Sequence, residues 1–463
     1  MYDPWAPLEK VFRQRAPRWP LHLPAHGRGR GLAKPLRDLL RQHPGRWDLP
    51  ELPAFGGPLL VDGAVGQAQR QAAALLGADQ LWFGVNGASG LLQAAVLALC
   101  PPGSRLLLPR NLHRCLLHAC VLAGVRPVLF SPPYDEQWGL WLPPTPQRLR
   151  QVLRLALADG PLAAVVLIDP TYQGLAADLV GLSAEVHAAD LPLLVDQAHG
   201  HGSALAAGAD LVVLSMQKTF GGLAQSAALA LAGSRVNPDE ISRSLEWLQT
   251  SSPSALLLAS AAAAFSQAYS TAGKRQRSQA LGRAQRLRQR LLQLNFQLLD
   301  NQDPLRLVLA TALEGINGLQ ADQWLMQHGV VAELPEPGCL TFCLGQRPSA
   351  GLCRGLPQHL LALRRALAAT PLPSFLAPPL PLIASPAMDV GRAWRAASRP
   401  LPLEEAVGCI AAKPLCPYPP GIPLLIPGEH LDRPRLDWLL AQRNLWGNQI
   451  ADTVTAVASS SAV

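Results

Sequence analysis

The sequence predicts an α/β protein in which a mostly parallel sheet is flanked by helices, with a smaller α+β region toward the C-terminus. Three observations carry that expectation. Short apolar runs recur between amphipathic stretches from residue 61 to about 233. Those runs are continuously hydrophobic rather than alternating, which suits strands buried on both faces. Finally, 463 residues with 49% hydrophobic and 16% charged side chains are enough for more than one sizeable core.

In chain order, residues 1–55 are rich in proline and arginine, with a short helical piece over 34–42, and read as an arm. The α/β region spans 56–295. A helical period in AVGQAQRQAAALLGAD precedes the strand LWFGV, and a helix follows in LLQAAVLALC. Then come RLLLP, a helix in HRCLLHACVLAG, and PVLF. After the loop SPPYDEQWGLWLPPTP and another helix, the strands AAVVLID, LPLLVD and DLVVLS complete the pattern. Such alternation implies right-handed crossovers and a parallel sheet. Residues 251–295 are strongly helical, and 296–370 read as a small α+β domain from PLRLVLA and CLTFCLG. The last region, 371–463, contains proline-rich linkers at 370–386 and 416–427 and ends in ADTVTAVASSSAV, which is expected to fray.

Composition excludes several classes. The longest apolar run, near 255–265, is far short of the roughly 18–20 residues a membrane span requires. The N-terminus lacks the charged start and apolar stretch of a signal peptide. The eight cysteines form neither CxxC pairs nor a compact framework, so reduced thiols in a cytoplasmic protein without a zinc site are expected. A net charge of +8 raises the question of nucleic acid. The densest basic stretch, KRQRSQALGRAQRLRQRLLQ, carries leucines at helical spacing and no interleaved aromatics. It therefore reads as the solvated face of an amphipathic helix, with no nucleic-acid partner.

Only five of the 40 basic residues are lysines: Lys10, Lys34, Lys218, Lys274 and Lys413. Arginine cannot act as an amine nucleophile, whereas a partly buried lysine can. In a doubly wound sheet, ligands bind beyond the carboxyl ends of the strands. Four sites there carry polar residues. Gly87, Ala88 and Ser89 open a helix after LWFGV and suit a phosphate, although an ordinary N-cap would look alike. His113 follows RLLLP at the start of a helix. Asp196 ends an apolar run and, if buried, needs a cation, metal or cofactor; His199 and His201 lie just beyond it without a convincing metal-ligand set. Ser215 and Lys218 follow DLVVL. A turn for phosphate, a histidine, a strand-end aspartate and a Ser-x-x-Lys, in this order, make the pattern needed to hold pyridoxal 5'-phosphate (PLP). Lys218 would bond the aldehyde, Asp196 would pair with the pyridine nitrogen, and His113 would stack on the ring. Ser89 and Ser215 would bind the phosphate.

These residues resemble the fold-type-I PLP-dependent enzymes, specifically the short bacterial form of the Orn/Lys/Arg decarboxylase family. The match runs through His26 in LHLPAHGRGRG, VNGASGLLQAAVLALCPPGSRLLLPRNLHRC, DPTYQGLAADL, LLVDQAHGHG, GADLVVLSMQKT and AQSA. It closes on PLEEAVGCIAAKPLCPYPPGIPLLIPGE, whose ending is not a general fold-type-I feature. The resemblance implies PLP-dependent decarboxylation of arginine, lysine or ornithine in polyamine metabolism, with arginine favoured, by a homodimer or higher homo-oligomer. It also implies that His199 bonds the phenolic oxygen or orients Asp196, and that Glu429 recognises the distal cation of the substrate. The sequence departs from the family pattern at Ala88, Gln197, Gln217 and Lys413. The rival readings are another fold-type-I reaction such as an aminotransferase, which would need an arginine clamp in the small domain, and a PLP-binding homologue with weakened catalysis and a regulatory role.

Overall fold

The computed structural model describes residues 3–14, 16–417, 421–446 and 449–458. Its centre is an eight-stranded sheet. In chain order the strands are β1 (Gln80–Gly84), β2 (Arg105–Pro109), β3 (Arg126–Phe130), β4 (Ala164–Ile168), β5 (Leu193–Asp196), β6 (Leu211–Ser215) and β7 (Ala227–Leu231). The eighth is the short segment Ile383–Ala384. The spatial order is Ile383–Ala384, β3, β2, β4, β5, β6, β7, β1. Strands β2 to β6 are parallel. β7 runs antiparallel to both β6 and β1, so β1 points the same way as the parallel set.

Both faces of this sheet are covered, and the strands show it residue by residue. Leu107, Val165, Val195 and Leu214 enter one apolar cluster, whereas Leu106, Leu108, Val166, Leu194 and Val213 enter the other. Successive side chains leave a strand on opposite faces, so a strand with two buried faces must be apolar at every position. The strand β7, in SAALALAG, lies outside the segments expected from the pattern. Its alanines carry little hydrophobic signal, yet all five of its residues are buried between β6 and β1.

A second unit packs β8 (Arg306–Ala310), β9 (Leu334–Glu336) and β10 (Cys339–Cys343) into an antiparallel sheet of order β8-β10-β9. Helices Thr271–Gln293, Gly318–Gln327 and Leu352–Leu367 close its core. Within the arm, Trp19–Pro20 pairs in parallel with Val330–Val331, and Trp19, Leu21, Ala25 and Leu36 are buried.

The C-terminal expectations need correction. Thr453–Val457 does not fray: it pairs antiparallel with Ser398–Pro402, and Val454 and Ala456 are buried by the period-two pattern of TVTAV. Residues 459–463 of that stretch lie outside the described residues, as do residues 418–420 of the PYPPGIP signature. The two proline-rich stretches are not free linkers either. Ile383–Ala384 extends the main sheet, and Leu424, Leu425 and Ile426 are buried. Proline removes donors but does not prevent apolar neighbours from packing.

Candidate active site

Because β1, β2, β4, β5 and β6 share a direction, their carboxyl ends meet at one edge of the sheet. Residues that lie far apart in sequence converge there.

Lys218 sits in a single π-turn, Met216–Phe220, directly after β6. Gly221, at φ 75°, ends the turn, and a Cβ there would lie 2.6 Å from the carbonyl oxygen of Gly31. Only glycine accommodates both the left-handed backbone and that approach. Lys218 Nζ lies 3.0 Å from His199 Nε2, and Arg306 Nη2 lies 2.9 Å from His199 Nδ1. A guanidinium can only donate, so Nδ1 must accept and the imidazole proton must sit on Nε2. Nε2–H then donates to Nζ, which requires a lone pair on the lysine. The hydrogen-bond order is therefore that of a neutral amine. The charge environment agrees. Burial lowers the Lys218 pKa, against the pull of Asp196, and the Arg306 charge lowers it further. Burial, with the Arg306 charge adding to it, holds His199 well below its ordinary value.

Asp196 ends β5 and is 6% exposed. Its Oδ1 accepts a hydrogen bond from Ala198 N at 3.1 Å. The second oxygen takes none from the described residues, so it can receive a ring N–H. His113 caps the helix Arg114–Ala123, and its Nδ1 accepts from Cys115 N at 3.3 Å. The residue is exposed, so its ring is not committed to the core.

Asn86 precedes the helix Gly87–Leu99 without a side-chain cap, leaving first-turn N–H groups unpaired. Gly87 N reaches Gln225 O at 2.7 Å, but Ala88 and Ser89 N–H find no acceptor among the described residues. Ser215 is level with Gly84, because both pair with Ala227 of β7. Two strand spacings, about 10 Å, separate them. Orphan N–H donors at the positive end of a 13-residue helix form an anion cradle. A neutral part-buried amine, a half-satisfied buried carboxylate, an exposed imidazole and an anion cradle match the groups PLP presents. The residues fit that cofactor.

Three further residues of this cluster, Tyr172, Glu333 and Arg306, were not anticipated. Tyr172 packs against His199 with ring centroids 4.3 Å apart, and its hydroxyl bonds Glu333. Glu333 also accepts from Leu23 N at 2.6 Å. Arg306 is 4% exposed, its Nη1 lies 2.6 Å from Cys343 Sγ, and Asp303 is 3.8 Å from its Nε. A charged residue opening an otherwise apolar strand was the available signal for Arg306. Tyr172 stood in the quoted DPTYQG with nothing local to mark it.

Glu429 is not brought into this cluster. Its two oxygens bond Arg110 Nη1 and Nη2 at 2.8 and 2.7 Å, and it accepts from Ile426 N at 2.9 Å. Both side chains are buried, so the carboxylate is committed to a buried guanidinium. The expectation that Glu429 meets the substrate's distal cation is corrected on that ground.

The departures from the family pattern are local. Gln197 is buried with its amide engaged: Nε2 bonds Ser203 Oγ at 3.0 Å, and Oε1 accepts from Ala204 N at 3.3 Å. The same Nε2 lies 3.4 Å from Asp169 Oδ2, a neighbour that an amide tolerates better than a second carboxylate would. The carbonyl of Gln217 accepts from Ala25 N at 2.9 Å, tying the turn to the arm. Lys413 is exposed at the surface, and His201 faces Phe220 with ring centroids 5.5 Å apart.

Comparisons with known proteins agree with this architecture. Residues 13–314 match the model of the Orn/Lys/Arg decarboxylase major domain, and residues 378–449 match that of the Orn/Lys/Arg decarboxylase C-terminal domain. An arginine decarboxylase of Bacillus subtilis is 30% identical over 94% of this chain and 92% of its own length. A lysine decarboxylase of Pseudomonas aeruginosa, LdcA, is 28% identical over 33% of this chain and 22% of its own. Among solved structures, the constitutive lysine decarboxylase of Escherichia coli superimposes with a TM-score of 0.74 at 20% identity, over 97% of this chain and 78% of that one. Serine palmitoyltransferase of Sphingomonas wittichii gives 0.54 at 18% identity, over 68% and 79%.

Proposed function

This chain belongs to the Orn/Lys/Arg decarboxylase family, and from that premise we propose that it converts arginine to agmatine, with release of CO₂, as a step of polyamine metabolism. The enzyme is a PLP-dependent decarboxylase of a basic amino acid. Arginine is favoured over lysine and ornithine by the near full-length similarity to an arginine decarboxylase.

The hydrogen-bond order at Lys218 carries the reading of the site. A lysine that accepts from His199 is deprotonated and can attack a carbonyl carbon without first losing a proton. When bound, PLP supplies the electron sink for the pair left on Cα as CO₂ departs. Asp196 would offer its free oxygen to the ring nitrogen and favour the protonated form of that nitrogen. His113 would stack on the ring, while Ala88 and Ser89 N–H with the Ser215 hydroxyl would hold the phosphate. His199, fixed by Arg306 and Tyr172, positions Lys218. Lys218 would also deliver the proton that replaces the lost carboxylate at Cα, having first taken it from the substrate's own ammonium group, so the neutral amine becomes an acid only after it has been charged.

The reading includes a division into 1–55, 56–295, 296–370 and 371–463, a cytoplasmic location and a homodimer. Among the described residues, no helix is long and apolar enough to cross a membrane. The dimer is supported by the helix Ala6–Arg13, which buries no residue on its own chain. Trp5, Leu8, Val11 and Phe12 beside or within it are all more than half exposed. A second copy of the chain would cover that face. Leu8→Asp with Phe12→Asp should then lower the mass measured by light scattering to that of one chain; an unchanged mass would remove this support.

The aminotransferase reading would look for a small-domain arginine, and Arg306 is one. Its guanidinium, however, already bonds His199 and Cys343 and lies beside Asp303. The deciding experiment measures visible absorbance of lysine-bound cofactor, together with CO₂ and amine release from arginine, lysine and ornithine. The proposal expects both signals, with arginine turned over fastest. Cofactor absorbance without CO₂ from any of the three would leave only the rivals, another fold-type-I reaction or the weakened homologue.

A further inference from the structure

Six arginines drawn from four separate segments line one open groove: Arg28 with Arg30, Arg37 with Arg41, Arg283, and Arg347. The groove encloses about 760 Å³, inside the roughly 300–1,000 Å³ usual for small-molecule sites. No Asp or Glu lines it. Asp38, nearby, bonds Lys34 at 2.6 Å and reaches only Arg41, at 3.7 Å. Among the described residues, the other five have no carboxylate within ion-pair distance.

Like charges gathered without counter-charges cost free energy, and here the chain also orients them. Arg283 Nη1 is pinned to Pro348 O at 2.6 Å, and Arg37 and Arg347 each reach Arg30 O, at 3.5 and 3.4 Å. Arg37 Nε is buried with no hydrogen-bond partner. Guanidinium groups aimed by main-chain carbonyls, with remaining N–H donors unspent, are arranged for bidentate recognition of phosphate oxygens. In the sequence, Arg283 belonged to a helix read as a solvated basic face. Folding sets it opposite the arm.

We propose that this groove is a binding site, separate from the Lys218 cluster, for a small anion carrying several phosphate charges. The segments that carry its arginines also hold the Lys218 turn from behind. Ala25 N donates to Gln217 O at 2.9 Å, Ala33 N to Gly221 O at 3.1 Å, and Gln346 Nε2 to Thr219 O at 2.6 Å. An anion that draws Arg28, Arg30 and Arg347 together therefore acts on the clamp around Lys218, and its occupancy is transmitted to the active site.

The test is calorimetric titration of the cofactor-loaded enzyme with tripolyphosphate, ATP and orthophosphate, at two salt concentrations. Tripolyphosphate should bind at least tenfold tighter than orthophosphate and weaken steeply with salt. ATP binding like tripolyphosphate assigns recognition to the phosphate chain alone, and tighter ATP binding assigns it to a nucleotide. Arg28→Gln with Arg41→Gln, both exposed positions, should cut the affinity at least tenfold with unchanged melting temperature and basal CO₂ release. Equal affinity for tripolyphosphate and orthophosphate, or full affinity in the double variant, overturns the site. Tighter binding of a single-stranded RNA than of either small anion overturns the small-ligand assignment. Saturation without any change in rate or cofactor absorbance overturns the transmission. Because binding is read without turnover, these outcomes are independent of which amino acid the enzyme decarboxylates.

Discussion

A buried guanidinium and a part-buried amine lie beyond carboxyl ends of the same sheet, with two strands between them, and the fold treats them in opposite ways. Arg110, after β2, is 1% exposed and held by both oxygens of Glu429. Lys218, after β6, has no carboxylate within ion-pair distance among the described residues, and its amine meets a neutral imidazole. A guanidinium cannot shed its proton, so burial demands a counter-charge, and the C-terminal region supplies one. An amine can, so burial without a pair turns it into a nucleophile. Pairing makes Arg110 a strut; the lack of pairing leaves the Lys218 amine its lone pair.

The largest expected effect is at Lys218. Lys218→Ala should abolish cofactor absorbance and lower CO₂ release by at least about a thousandfold. Lys218→Arg should do the same, because it keeps a cation and loses the amine; activity in Lys218→Arg would contradict the neutral-amine account. Next comes the strut. Glu429→Gln leaves a buried guanidinium without its charge partner and should cost about 3–5 kcal/mol, read by denaturant unfolding. Replacing both partners, Arg110→Met with Glu429→Leu, should recover most of that loss.

A third test concerns a buried carboxyl that has no cation. Burial raises the Glu336 pKa to about 7 despite the hydrogen bond from Gln173. The unfolded chain loses this proton near pH 4.5, while the folded protein holds it to about pH 7. Stability is therefore lost as pH rises through that window, by up to about 3 kcal/mol. Glu336→Gln should melt above the parent at pH 8 and converge with it near pH 4.5; parallel melting curves across pH would refute the burial account. The smallest effect is expected at Arg306. Removing its charge in Arg306→Gln should raise the Lys218 pKa, moving the pH dependence of cofactor loading upward, whereas a purely structural role would leave that profile in place.

Much of this was legible in the chain, for identifiable reasons. Strands such as RLLLP and DLVVLS declare themselves because burial on both faces requires unbroken apolarity. Lys218, Asp196 and His113 stand out because each follows such a strand with a residue type that burial penalises. Strand β7 was not legible, since alanine signals neither helix nor strand strongly. Tyr172, Glu333 and Arg306 were hidden because their roles depend on partners more than a hundred positions away: Arg306 to His199, Glu333 to Tyr172.

The sequence by itself determined the parallel strands of the main sheet, where they end, and which residue types stand at those ends. Hydrophobic periodicity and residue chemistry are local properties, so a linear reading reaches them. Only the tertiary structure decided who meets whom. It committed Glu429 to Arg110, set Arg306 behind His199, and gathered six distant arginines into one groove. Charge pairing is settled by distance in space, which loop closure and packing fix.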